Sequence, residues 1–170
     1  MRKHRYCLAV AAFALLAACS RDETASLPAP LEPDANSIAY FCHMSLPEHE
    51  GPKGQLFLRG QDKPIWFASV GEAFTFLETE LAQPHDLLVV YVNDMSQGTW
   101  EHPAPGAWIK AEAATYVIGS SKMGSMGDKE AVPFPSKDAA AVFIKDFGGE
   151  VVDFDGAKKA LAVEPSASGN

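Results

Sequence analysis

The strongest constraint on what this chain can fold into is a pattern of structural punctuation that occurs twice. Ser69 followed by Glu72 makes a capping box, and Phe74, Leu77 and Leu81 fall at helical spacing up to a stop at Pro84. Residues 55–58 and 64–67 flank a turn at 59–63 and read as a hairpin, and the β-branched run 86–92, ended by Asn93 and Asp94, reads as a third strand. The same order returns as a strand over 115–118, a loop over 119–127, a strand over 131–134, a helix over 136–147 and a strand over 150–154. Laying Phe67-Ala68-Ser69 over Phe134-Pro135-Ser136 also aligns Ala73 with Ala140, Phe76 with Phe143 and Leu77 with Ile144, every pair 67 positions apart. The pattern predicts an α+β fold of two small strand-strand-helix-strand units with short, mostly antiparallel sheets. The first unit spans 37–100. A linker and the second unit occupy 101–162, with 98–114 joining the copies, one weak helical turn after Asp155 and a disordered tail over 163–170.

Ahead of these units stands a different kind of sequence. Arg2, Lys3 and Arg5 precede an apolar run from Cys7 to Ala18, the layout of an export signal over 1–18. At roughly twelve residues the run is short of the ~20 a membrane-spanning helix needs. Its end, Leu16-Ala17-Ala18-Cys19, resembles a bacterial lipobox, in which Cys19 is lipidated and becomes the new N-terminus. Residues 19–36 carry Pro28, Pro30 and Pro33 among small and acidic residues and read as a flexible, semi-extended tether. Loss of the leader removes three cations from a chain of formal charge −8, leaving eleven basic against twenty-two acidic residues, a charge of −11. Such a balance disfavours nucleic acid as a partner.

Of the three cysteines, Cys7 leaves with the leader and Cys19 is capped by lipid, so Cys42 is a single free thiol in an oxidising compartment. It is buried and inert, or awaits an intermolecular partner, or holds a soft metal. Its neighbours bear on the choice. Phe41-Cys42-His43-Met44 sets a thiol and a thioether two residues apart, on one side of the chain if the backbone is extended, with His43 turned away. Met123 and Met126 lie in the glycine-punctuated loop Lys122-Met-Gly-Ser-Met-Gly127, where exposed thioethers invite oxidation. Apart from Met95, the methionines beyond the leader therefore sit in two short loops. Thiolate and thioether donors select Cu(I) over harder cations, whereas zinc would ask for four Cys or His ligands at a spacing absent here. His85 and His102 adjoin prolines and read as turn residues, while His49, in Pro-Glu-His-Glu-Gly, is placed to approach Cys42. The alternative is that Met44 and Met123 merely fill irregular core space in an interaction module. Catalysis by Cys42 as a nucleophile would want a second reactive thiol and a positioned acid.

The residues together resemble the nitrous oxide reductase accessory family NosL, periplasmic lipoproteins implicated in copper delivery to that reductase. The likeness rests on Phe41-Cys-His-Met44, Tyr116-Val-Ile-Gly-Ser-Ser121, Met123-Gly-Ser-Met-Gly127, Pro133-Phe134 and Phe147-Gly-Gly149. It implies a non-enzymatic carrier that binds Cu(I) through Cys42, Met44 and a methionine of the second loop. Met126 matches the family's methionine in Gly-Pro-Met-Gly; Ser125 replaces the proline and Met123 is additional, leaving two candidates there. The resemblance also implies the copper-containing reductase and its membrane transporter complex as partners, and the two-unit fold that the family shares with organomercurial lyases. Ser20 after Cys19 is compatible with anchoring at the outer membrane. Replacing Cys19 by alanine is expected to move the protein from the membrane fraction to the soluble periplasmic fraction; continued membrane retention would count against the lipid anchor.

Overall fold

The computed structural model describes residues 27–79 and 86–162. The leader, the lipobox with Cys19, residues 80–85 with His85 among them, and the tail 163–170 lie outside the described residues; the helix read as running to Pro84 has already ended at Glu78, with Thr79 extended. In chain order the elements are β1 (Gly54–Leu58), β2 (Ile65–Phe67), α1 (Val70–Glu78), β3 (Leu87–Asn93), β4 (Trp108–Lys110), β5 (Thr115–Ile118), β6 (Val132–Phe134), α2 (Lys137–Phe147), β7 (Glu150–Val152) and α3 (Phe154–Leu161). They form a four-stranded sheet of order β2-β1-β3-β4 and a three-stranded sheet of order β6-β5-β7, every pairing antiparallel. In each sheet the first strand of the repeat lies between its hairpin partner and the strand that follows the helix. Pro133, which has no N–H to give a ladder, falls in the edge strand β6.

The repeated serines do the same local work. Ser69 accepts from the Glu72 amide and Ser136 from the Ala139 amide, each satisfying a helix-start donor worth about 1 kcal/mol. Behind them, Ala73 and Ala140 are fully buried, small enough to let each helix lie close to its sheet. The main core joins the two repeats. Leu56, Phe67, Phe74 and Val92 of the first pack with Tyr116 of the second, and the Phe74 ring meets those of Tyr116 and Phe154 edge-on. Burial of each such aromatic contributes about 2 kcal/mol. The Tyr116 hydroxyl, deep in this core, donates to the Ala111 carbonyl at 2.7 Å.

Three parts of the structure depart from the sequence reading. The span read as a linker contributes β4, which pairs Asn93 with Trp108 and Tyr91 with Lys110; three residues are too few for alternation to register. The weak turn after Asp155 is the two-turn helix α3, capped by Asp153, and it takes Phe154 from the strand read over 150–154, which ends at Val152. Phe154, Ala157 and Leu161 face the main core from it at helical spacing, and Gly156 with Lys158 and Lys159 masks that stripe in composition. Lastly, part of the segment read as tether is bound to the fold. The Tyr91 hydroxyl donates to the Pro28 carbonyl at 2.8 Å. Leu31 exchanges two hydrogen bonds with the side-chain amide of Gln55, at 2.9 and 3.0 Å. Glu32 accepts from the Gly106 amide and the Trp108 indole, both at 2.7 Å.

This strap crosses the face of the four-stranded sheet opposite α1, where Phe57, Val89 and Tyr91 form a small buried cluster. An extended Pro-rich backbone makes no hydrogen bonds with itself, so its amides and carbonyls are free to pair elsewhere. Gln55 is fully buried and needs partners for its amide. Gln55→Leu is therefore expected to cost about 1–3 kcal/mol of stability by stranding the Leu31 groups, read as a lower urea midpoint at unchanged slope. An unchanged midpoint would mean that strap docking contributes nothing.

Candidate soft-metal site

Cys42 sits at the tip of a tight loop that folds back on itself. Ile38 pairs with Ser45 in an antiparallel bridge, and the Ala39 amide donates to the Met44 carbonyl at 3.0 Å. The turn between them closes with the His43 amide on the Ala39 carbonyl at 3.0 Å, and His43 has a φ of +56°. Among the described residues it is the only non-glycine in this left-handed region, which costs a β-carbon-bearing residue about 1–2 kcal/mol. The extended geometry expected over 42–44 is thus replaced by a turn, because the Ala39–Met44 pairing leaves four residues to reverse the chain. Cys42 is half-buried against Ala39, Leu46 and Ala68, while His43 is exposed.

The second loop is a hairpin of its own. Met123 bridges to Lys129, the Gly124 amide donates to the Asp128 carbonyl, and the Gly127 amide returns to the Gly124 carbonyl, both at 2.8 Å. That closes a β-turn with Ser125 and Met126 at its two central positions. Met44, Met123 and Met126 are 47%, 47% and 56% exposed, so these thioethers are surface groups and not core filler. Both loops are fastened to the turn between β2 and α1. From the first, the Tyr40 amide donates to the Trp66 carbonyl, in β2 just before the turn, at 2.8 Å, and Cys42 packs against the cluster that Ala68 forms with Ala39 and Leu46. From the second, the Ser125 hydroxyl donates to the Ala68 carbonyl at 3.4 Å. The turn itself is stiffened by the Ser69 cap and by Glu72, whose carboxylate accepts from the Ala68 amide at 2.9 Å. Ser125 thus ties the methionine loop to this turn.

His49 comes nearest to Cys42, its Nε2 lying 3.5 Å from Sγ. Proximity in a loop hints at this, but no periodicity in the sequence fixes it. Burial, and then the Lys53 ammonium, holds the imidazole below its ordinary value of 6.5, so a neutral ring faces the thiol at neutral pH. Lys53 is buried and lowered to about 8 by desolvation, which Glu130 and Glu50 partly offset; its ammonium donates to the Gly51 carbonyl at 2.6 Å. His102 is an exposed loop residue, as its neighbouring proline suggested. Among the described residues no three His, Cys, Asp or Glu side chains gather to hold a metal.

Fold and loops together define a small two-sheet α+β protein that presents soft sulfur donors at its surface. The chain belongs to the NosL family, whose model matches residues 30–162. It is 40% identical over 168 residues to the copper-binding lipoprotein NosL of Achromobacter cycloclastes, covering 98% of this chain and 86% of that one. The copper-binding lipoprotein NosL of Stutzerimonas stutzeri is 31% identical over 160 residues, covering 92% and 80%. The crystal structure of the copper chaperone NosL from Shewanella denitrificans superposes with a TM-score of 0.67 at 34% identity, over 75% of this chain and 93% of that one.

Beneath the methionine loop, against Gly124, lies a buried acid. Glu130 is enclosed, with Oε1 accepting from the Ala131 amide at 2.9 Å and the Gly71 amide at 3.3 Å, and burial pushes its carboxyl up to about 8. The unfolded chain gives up this proton near pH 4.5 and the folded chain near pH 8, so this contribution to stability is full below the first value and lost as pH rises through the second. Glu130→Gln keeps the two accepted bonds and cannot ionise. Urea unfolding at about pH 5 and about pH 8 is expected to show the variant gaining on the wild type at the higher pH. Equal shifts at both would mean that Glu130 is ionised in the folded state.

Proposed function

We propose that the chain is a lipid-anchored periplasmic metallochaperone, not an enzyme, that binds Cu(I) through Cys42, Met44 and Met126 and carries it to a copper acceptor. The observation that carries this reading is the placement of exposed thioethers on two loops tied to one stiff turn, with a thiol on the first of them. Polarizable sulfur selects monovalent copper, and a site of few donors at the surface leaves a coordination edge open. An acceptor's ligands then enter before the carrier's leave, so the ion never passes through bulk water. Met123, on the same hairpin, offers a second thioether for that exchange. Neutral His49 orients Cys42, and the proton released when the thiol becomes a thiolate ligand passes to solvent.

The names of the relatives supply the cargo, copper, and the role, chaperone. The finer reading is maturation of nitrous oxide reductase, with the reductase and its membrane transporter complex as partners. Anchoring through Cys19, in the outer membrane by the character of Ser20, would keep the carrier at the membrane face and raise its effective concentration there. A charge of −11 would steer it toward a basic docking patch.

The test is titration of the reduced protein with Cu(I) against a competing chelator. Cys42→Ser is expected to weaken binding by at least about a hundredfold, and Met44→Ala and Met126→Ala by about tenfold each. Met123→Ala is expected to slow transfer to an acceptor more than it weakens binding. Wild-type binding no tighter than that of the Cys42, Met44 and Met126 triple variant would end the proposal.

A further inference from the structure

The two donor loops are joined on a second side, away from the Ala68 turn. Trp100, in the loop between β3 and β4, accepts a hydrogen bond through its carbonyl from the Gly51 amide at 2.7 Å. Its indole lies flat against the same glycine: a β-carbon at Gly51 would sit 2.9 Å from a ring carbon, and the φ of +77° there also favours glycine. Gly51 follows His49 by two residues, and His49 touches Cys42. The other end of this contact reaches the methionine loop. The Lys122 ammonium stands 5.1 Å from the centre of the Trp100 ring and 4.9 Å from that of Phe147, held between two aromatic faces. Lys122 directly precedes Met123, and the Ser121 amide before it donates to the Phe147 carbonyl at 2.8 Å. Trp100 also packs with Met95 and Phe143 on the core of the second sheet, so the indole is fixed and not a free surface ring.

We infer that Trp100 and Lys122 form a strut between the two sulfur-bearing loops, and that they are positioning residues for copper held across those loops. The inference rests on the copper reading above. Neither residue offers a soft donor. Each fixes one loop relative to the other: the indole through Gly51 toward Cys42, the ammonium through the backbone toward Met123 and Met126. A surface lysine held only by solvent would leave the methionine hairpin to hinge about its base, and the thioethers would then be ordered only at the moment of binding.

The full-length protein tests this with Lys122→Leu, which keeps an apolar side chain, removes the charge and adds no sulfur, and Lys122→Arg, which retains the charge. Loss of the two partly exposed cation–π contacts to Trp100 and Phe147 predicts Cu(I) binding roughly fivefold to tenfold weaker in Lys122→Leu, with Lys122→Arg within about twofold of wild type. In a background where Met123 and Met126 are both alanine, Lys122→Leu should have no further effect, since a strut to an absent donor positions nothing. A metal-free readout accompanies these: hydrogen exchange at the Gly51 amide should quicken in Lys122→Leu, although the substitution lies on the other loop. Wild-type affinity in Lys122→Leu, an equal loss in the background lacking both methionines, or unchanged Gly51 exchange would each overturn the strut. If instead the wild type binds Cu(I) no better than Cys42→Ser, the carrier reading fails, and the exchange measurement still judges the mechanical link.

Discussion

The turn between β2 and α1 is a few residues long, yet the arrangement of the surface around Cys42 depends on its holding still. Ser69 caps the helix through the Glu72 amide, and Glu72 reaches back to the Ala68 amide, so both sides of the turn are pinned by charge-assisted or capping hydrogen bonds. Ala68 is fully buried; its carbonyl meets Ser125 of one loop, and its side chain belongs to the cluster against which Cys42 of the other packs. A larger residue at position 68 would separate the loops. A missing cap would let the turn fray and carry both loops with it. Local helix chemistry here sets the distance between residues more than fifty positions apart in sequence.

Around that turn the protein combines rigidity and exposure in a way that suits handing over a soft cation. The sheets, the shared aromatic core and the strap over the outer sheet face supply a frame. The thioethers stand outside the frame, with the half-buried thiol at its edge, on hairpins whose bases are clamped. His43 carries the one described non-glycine left-handed backbone, at the tip that presents Cys42 and Met44, where the cost is borne by the packing beneath. The buried groups behind the loops, Lys53, His49 and Glu130, are all moved toward their neutral forms by desolvation. A cation arriving at the sulfurs therefore meets little fixed positive charge from the histidine directly behind Cys42.

Much of this was legible in the residues. The two serine caps, the alanines that follow them and the strand-length runs identified the repeat, because capping and period are local signals that each segment carries by itself. Cys42, Met44, Met123 and Met126 stood out for the same reason: a thiol without a partner and methionines in loops contradict the usual preferences of those side chains. The misreadings share an opposite cause. Pro28 to Glu32 look like a spacer because nothing in their composition records that Gln55, Tyr91 and Trp108 are waiting across the sheet. The amphipathic stripe of α3 is present in the sequence, but its glycine and lysines dilute it, and only the Tyr116–Phe74 core explains why so short a helix is retained.

By itself, then, the sequence determined the α+β class, the duplicated unit, the capped starts of α1 and α2 and which loops carry soft sulfur, all of which follow from signals within a dozen or so residues. Tertiary structure decided what the donors face. The left-handed turn at His43, the approach of His49 to Cys42, the fastening of both loops to Ala68 and the reach of Trp100 from Gly51 to Lys122 join residues that no period relates. Contacts of that kind depend on how two sheets and their helices close on a common core, and that closure is a property of the whole chain.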